Sequence, residues 1–178
     1  SLTECALPDN SCKPPLSLTW TDFGSASFNV GSSWTTLAAS WLVDADGDGR
    51  ADMVAQQSDG LYVALSTGTG VGTSSKWVSS FGSSQGYSDQ NVTPIFLMDV
   101  NGDGLADAVG FASDGVYVAL SNGSGFNAPT KWISDFGTAN GWTTMDSYPR
   151  TLVDVNGDGR PDLVGFGIVL AAAACYGI

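Results

Sequence analysis

An all-β, β-propeller-like fold of about three four-stranded antiparallel blades is predicted for this 178-residue chain by two features: an acidic motif that returns at a constant interval, and the alternating apolar segments between its copies. The motif reads DADGDGRAD at residues 44–52, DVNGDGLAD at 99–107 and DVNGDGRPD at 154–162, a spacing of 55 residues each time. Ten of the eighteen acidic residues lie inside it, so the negative charge is concentrated at three turns.

Taken in order, the chain opens with residues 1–15, where Cys5 and Cys12 flank ALPDNS. A disulfide between these two cysteines would staple an otherwise loose terminus. Residues 16–37 carry LSLTWTDFG, which reads as an outer strand followed by a connector. Repeat 1 occupies residues 38–92, repeat 2 residues 93–147, and a partial repeat 3 with a divergent tail residues 148–178.

Within each repeat, WLV, FLM or TLV precedes the acidic loop, and DMVAQ, DAVGF or DLVGF follows it. Both flanks are β-prone, so the loop joins the first two strands of a hairpin. Ser58-Asp59-Gly60 and Ser113-Asp114-Gly115 then supply tight turns into LYVALS and VYVALS, whose alternation marks a third strand. A Gly-rich turn leads to KWVSSFG or KWISDFG, a fourth, outer strand. Four strands per repeat suit a propeller blade, although the common propeller repeats are shorter, at roughly 40 to 50 residues. After GFG at 165–167, IVLAAAACYGI replaces the usual turn and strand, and it retains enough apolar character for a third strand.

The motif also specifies a chemistry. Asp or Asn at positions 1, 3 and 5 turns hard oxygen ligands inward, and glycines at 4 and 6 allow the sharp reversal. Calcium fits such a cage, giving about three Ca²⁺ per chain. The side-chain ligands are expected to be Asp44, Asp46, Asp48 and Asp52 in the first loop. In the second they are Asp99, Asn101, Asp103 and Asp107, and in the third Asp154, Asn156, Asp158 and Asp162. The backbone carbonyls of Arg50, Leu105 and Arg160 add a ligand each. An EF-hand needs a bidentate Glu at position 12, where this chain has Ala55, Gly110 and Gly165, so the carboxylate at position 9 must close the cage. The competing reading is an ion-free Asx/Gly turn, since these residues favour turns unaided. Against it, a turn needs no fourth carboxylate, and like charges within a few ångströms repel.

A net charge of −12 with six basic residues argues against nucleic acid as a partner. No apolar run approaches the roughly 18 to 20 residues of a membrane helix. A Cys5–Cys12 disulfide and the millimolar calcium outside cells both favour an extracellular or cell-surface location. Cys175 is left over, either as a buried thiol or as a partner for another chain. Two N-x-S/T sequons, at Asn91 and Asn122, are potential glycan acceptors. With no histidine and no base near Cys175, nucleophilic triads are missing and no enzyme is expected. Asp22 and Asp146 are the acids least explained by the calcium loops.

DxNGDGxxDLVGFG, DGVYVALSNG, W-x3-FG and the connector GW-x6-R together resemble the FG-GAP/VCBS repeat family over residues 20–167. That family is found in integrin α-subunit propellers and in bacterial surface and toxin proteins, and the likeness extends to its seven-bladed fungal lectins of the Psathyrella velutina type. The resemblance implies calcium loops that hold each blade rigid, and N-acetylglucosamine-type sugars bound between adjacent blades. It implies ligand-binding roles for Trp142, Tyr148 and Arg150 in GWTTMDSYPR, where Tyr148 stands in place of a histidine; the alternative is that Trp142 packs between blades and Arg150 is structural. The function expected is therefore an adhesion or carbohydrate-binding module with a glycan or cell-surface ligand. The other reading is a structural subunit that assembles head-to-tail into a homo-oligomeric ring or filament, the strand around Trp20 of one copy completing the last blade of the next.

Overall fold

The computed structural model describes residues 39–167 together with three short peripheral strands. The peripheral strands are β1 (Cys5–Ala6), β2 (Ser11–Cys12) and β13 (Ala173–Tyr176). The outer strand expected around Trp20, and Asp22 within it, lie outside the described residues. Strands β1 and β2 pair antiparallel with Cys5 opposite Cys12.

Two complete blades follow. Blade 1 is β3 (Ala39–Val43), β4 (Asp52–Gln57), β5 (Gly60–Ala64) and β6 (Ser75–Val78), hydrogen-bonded in that order. Blade 2 is β7 (Ile95–Met98), β8 (Asp107–Ala112), β9 (Gly115–Ala119) and β10 (Thr130–Ile133), again in sequence order. Blade 3 contains β11 (Arg150–Val153), β12 (Asp162–Phe166) and β13, the last pairing Cys175 with Val164. The divergent tail therefore does supply a third strand. Each acidic loop joins the first two strands of its blade, as Val43 opposite Asp52, Met98 opposite Asp107 and Val153 opposite Asp162 show. The described residues include no α-helix, only single 3₁₀ turns at Ser83–Gln85 and Thr138–Asn140 in the connectors.

The middle strands are buried on both faces. Strands β4 and β8 share the pattern of five buried residues followed by one half-buried, which is why they read as continuous apolar runs. One apolar cluster joins Val54, Leu61, Val63 and Phe81 of the first repeat to Ile95, Leu97 and Ala108 of the second. Another joins Val109, Phe111, Val116 and Phe136 to Leu152 and Leu163. The core thus lies between successive blades, and each blade is the hydrophobic partner of the next.

The Phe-Gly pair at the end of each outer strand makes that contact. Phe81 and Phe136 adopt φ of 64° and 63°, a conformation unfavourable for a bulky residue, yet both rings are buried. Each ring lies against a glycine on the next blade. A Cβ on Gly110 would come within 2.5 Å of Phe81, and one on Gly165 within 2.5 Å of Phe136 and Trp142.

The candidate calcium loops and an inter-blade cleft

The three acidic loops share one backbone design. Their glycines at positions 4 and 6 all have φ between 81° and 88°, as the reversal requires: Gly47 and Gly49, Gly102 and Gly104, Gly157 and Gly159. The first carboxylate is pinned by these turns. Asp44 accepts from the amides of Gly47 at 2.7 Å and Gly49 at 2.8 Å, and Asp99 and Asp154 repeat the arrangement. The Gly157 and Gly159 amides hold the Asp154 carboxyl below the usual carboxylate range. Position 5 joins the same ring, as the amides of Asp48, Asp103 and Asp158 donate to Asp46, Asn101 and Asn156.

Asp44, Asp46 and Asp48 each place a ligand oxygen within 4.8 Å of the others. Such a convergent set of hard oxygens fits a divalent cation of the calcium type. The Asp48 carboxylate also pairs with the Arg50 guanidinium. The position-9 residue has a second task that the sequence does not announce. Asp52 is fully buried and accepts from Ala45 N at 3.0 Å and Ser66 N at 2.7 Å, clamping the loop onto the end of β5. Asp107 does the same with Val100 and Ser121, and burial pushes its carboxyl up to about 6.

A cleft of about 430 Å³ opens between blades 1 and 2. Its floor is apolar and aromatic: Phe81 and Tyr87 stack edge-to-face with ring centroids 5.3 Å apart. Its rim is polar, formed by Gln85, Asp114 and Tyr117. The Tyr117 hydroxyl lies 3.2 Å from the Asp114 carboxylate, which also binds Lys131, and Lys131 sits 5.3 Å from the Tyr117 ring centroid. Lys131 holds the Asp114 carboxyl below its ordinary range. An aromatic floor with a ring of donors and acceptors suits a small polar ligand with one apolar face.

The three residues singled out from the sequence lie one junction further on. Trp142 is the 55-residue counterpart of Tyr87; it stacks on Phe136 at 4.6 Å and donates to Asp135 at 3.1 Å. Tyr148 meets Trp142 edge-on at 6.0 Å, and both are half-buried. Arg150 is only 1% exposed. Its guanidinium donates to Phe136 O at 2.8 Å and Val92 O at 3.3 Å, and lies 5.2 Å from the Phe111 ring centroid. The structure thus brings the three together but turns Arg150 inward. Asp146 is engaged as well, exchanging hydrogen bonds with Asn91 at 2.9 and 3.1 Å. Gln85, Tyr87, Asp114 and Tyr117 were not selected from the sequence, although the step from Trp142 back to Tyr87 would have reached the cleft.

None of the helices among the described residues is long and apolar enough to cross a membrane. No curated protein sequence matches the chain. Among solved structures, a lectin from Agrocybe aegerita, described as recognising non-reducing terminal N-acetylglucosamine, is similar at 37% identity with a TM-score of 0.68. The match covers 72% of this chain and 32% of the lectin, so the chain spans about a third of the lectin's length. The Photorhabdus luminescens Tc holotoxin pore is similar in fold at 19% identity, with a TM-score of 0.55 over 71% of this chain and 6% of that one. A TcdB2-TccC3 structure behaves likewise, at 20% identity with a TM-score of 0.58 over 75% and 6%. The profile of the FG-GAP-like repeat matches residues 44–109 and 99–165. On that match, which spans most of the sequence, and on blades whose acidic loops and Phe-Gly closures repeat in register, this chain belongs to the FG-GAP-like repeat family.

Proposed function

We propose that this chain is an extracellular, calcium-stabilised binding module that recognises a glycan of the N-acetyl amino-sugar class and carries out no catalysis. The observation that carries the reading is the cleft between blades 1 and 2, with the Phe81–Tyr87 floor and the Gln85, Asp114 and Tyr117 rim, in a chain 37% identical to an N-acetylglucosamine-recognising lectin. A sugar ring offers an apolar face for Tyr87 and hydroxyls for the rim. Trp142 and Tyr148 are the corresponding surface at the next junction, and Arg150 holds their connector from beneath.

The loops supply rigidity in this reading. Calcium would be held by Asp44, Asp46, Asp48 and Asp52, by Asp99, Asn101, Asp103 and Asp107, and by Asp154, Asn156, Asp158 and Asp162, with the carbonyls of Arg50, Leu105 and Arg160. The cation supplies charge neutralisation and a fixed loop geometry. The Cys5–Cys12 register supports a disulfide, which suits the same oxidising setting.

Titration calorimetry with N-acetylglucosamine in millimolar calcium tests the reading. Binding is expected to weaken at least tenfold in Tyr117→Ala with the fold intact by circular dichroism. No heat from N-acetylglucosamine together with no binding on a glycan array would dismiss the sugar assignment.

A further inference from the structure

The two N-x-S/T sequons meet opposite fates in the fold. Asn91-Val92-Thr93 lies in the connector between blades 1 and 2, and all three residues are half-buried. Asn91 Nδ2 donates to the Asp146 carboxylate at 2.9 Å, its side-chain oxygen accepts from Asp146 N at 3.1 Å, and its carbonyl accepts from Met145 N at 2.6 Å. Val92 O accepts from Arg150 at 3.3 Å, and the Thr93 hydroxyl donates to Gly86 O at 2.9 Å. Each residue of this sequon is therefore engaged in holding the connectors, and the amide that a glycan would modify is part of the tie.

Asn122-Gly123-Ser124 instead forms the tip of the turn between β9 and β10. The turn is anchored on blade 1 by Phe126, whose ring meets Trp77 edge-to-face at 5.4 Å and whose N–H donates to Trp77 O at 3.2 Å. Its glycines face the same way, since a Cβ on Gly123 would sit 3.5 Å from Asp46 O and one on Gly125 3.6 Å from Trp77 O. Asn122 and Ser124 are both exposed. The Ser124 hydroxyl donates to Asn122 Oδ1 at 2.9 Å and Ser124 N to the same oxygen at 3.1 Å, so hydroxyl and amide are held together as one accessible unit. Asn122 Nδ2 has one long contact among the described residues, to the exposed Asn127 at 3.3 Å.

We propose that Asn122 is an N-glycan acceptor of this chain and that Asn91 is not. The donor is a lipid-linked pyrophosphoryl oligosaccharide. The Asn122 amide nitrogen attacks C1 of its first sugar, the bond from C1 to the pyrophosphate oxygen breaks, and the lipid pyrophosphate leaves as the amide gives up one proton. The Ser124 hydroxyl is the group that marks the asparagine for transfer. Strand β9 runs from Gly115, beside the cleft, to Ala119 below this turn, which puts the glycan roughly 20 Å from Asp114 at the rise of a β-strand. It stands beside the first acidic loop and leaves the cleft open. Repeat 1 has Thr67-Gly68-Thr69 at the equivalent place, so the modification distinguishes blade 2 from blade 1. The proposal shares the extracellular setting of the reading above and does not depend on its sugar cleft.

The test is expression of the full chain through the secretory pathway of yeast, followed by enzymatic deglycosylation in heavy-oxygen water and peptide mapping by mass spectrometry. Medium and cell lysate are both mapped, so poor secretion cannot hide the modification. The expected result is a labelled Asn122, with occupancy at least tenfold above that of Asn91. Asn122→Gln and Ser124→Ala are each expected to abolish the label, while Ser124→Thr keeps it. Both positions are exposed, so folding should survive, and circular dichroism checks this; having two independent variants keeps the outcome readable if one fails. An unmodified Asn122 in the wild type overturns the proposal. So does a label that persists in Ser124→Ala, or an Asn91 occupied as fully as Asn122.

Discussion

The junction of blades 1 and 2 and the junction of blades 2 and 3 must both satisfy the carbonyl of a phenylalanine held at positive φ, and they do so from opposite sides. At the first, Gln56 of blade 1 donates to Phe81 O and Tyr87 O, both at 2.7 Å, and Gln90 donates back to Gln56 at 3.2 Å. At the second, the place of Gln56 is taken by Phe111, and the donor is Arg150 of blade 3, which occupies the place of Ile95. The polar locks differ too. The first junction is tied at its loop end by Ala106 and Ser121, whereas Pro161 replaces Ala106 at the second and offers no N–H; there the connectors are tied by Asn91 and Asp146. The repeat therefore preserves a requirement, a capped carbonyl behind a buried ring, and leaves open which residue meets it.

Removing calcium is the broadest way to break this comparison, because the loops flank both junctions. Chelation with EDTA should cost about 1 kcal/mol per loop for sites that bind in the range of open extracellular modules. A large, calcium-reversible fall in Tm is the expected observation, and an unchanged Tm would sink the calcium assignment. Arg150→Met should cost about 3 kcal/mol, since it removes the guanidinium's hydrogen bonds to the buried Phe136 O and the half-buried Val92 O, and hydrogen exchange should rise at the second junction while the first stays protected. Gln56→Phe should cost about 2 kcal/mol for the same reason at the first junction. Adding Ile95→Arg sharpens the comparison, because the pair transplants the second lock into the first junction; denaturant unfolding should show the double variant more stable than the sum of the single ones by about 1 kcal/mol. Ser121→Ala is the mildest, at about 1 kcal/mol, and its denaturation midpoint should shift without any change at Arg150.

Much of this was legible from spacing alone. Asp and Gly residues at fixed offsets specify turns whatever surrounds them, and the period-2 strands between them have few other places to go, so the loops and hairpins followed directly. Even the divergent tail pairs through Ala173–Tyr176, because β12 leaves a strand edge beside it. The junction chemistry was not legible. An arginine beside tyrosine and tryptophan suggests a donor fork facing solvent, and nothing local reveals that a carbonyl 14 residues earlier points at it. That need arises from the burial of the Phe136 carbonyl, which residue type does not encode. The position-9 aspartates were read as ligands from their charge, and their clamp on β5 and β9 depends on a residue 14 positions away.

The Phe-Gly closure has a further consequence, in time rather than in space. Phe81 is capped by a glutamine 25 residues before it, whereas Phe136 waits for an arginine 14 residues after it. A chain emerging from the ribosome can form the Gln56 bond to Phe81 as soon as that kink is made, but the Arg150 bond to Phe136 forms only once blade 3 has begun to appear. The Gln56 lock thus lies wholly within the first repeat, whereas the Arg150 lock of the second junction forms only as translation proceeds into blade 3.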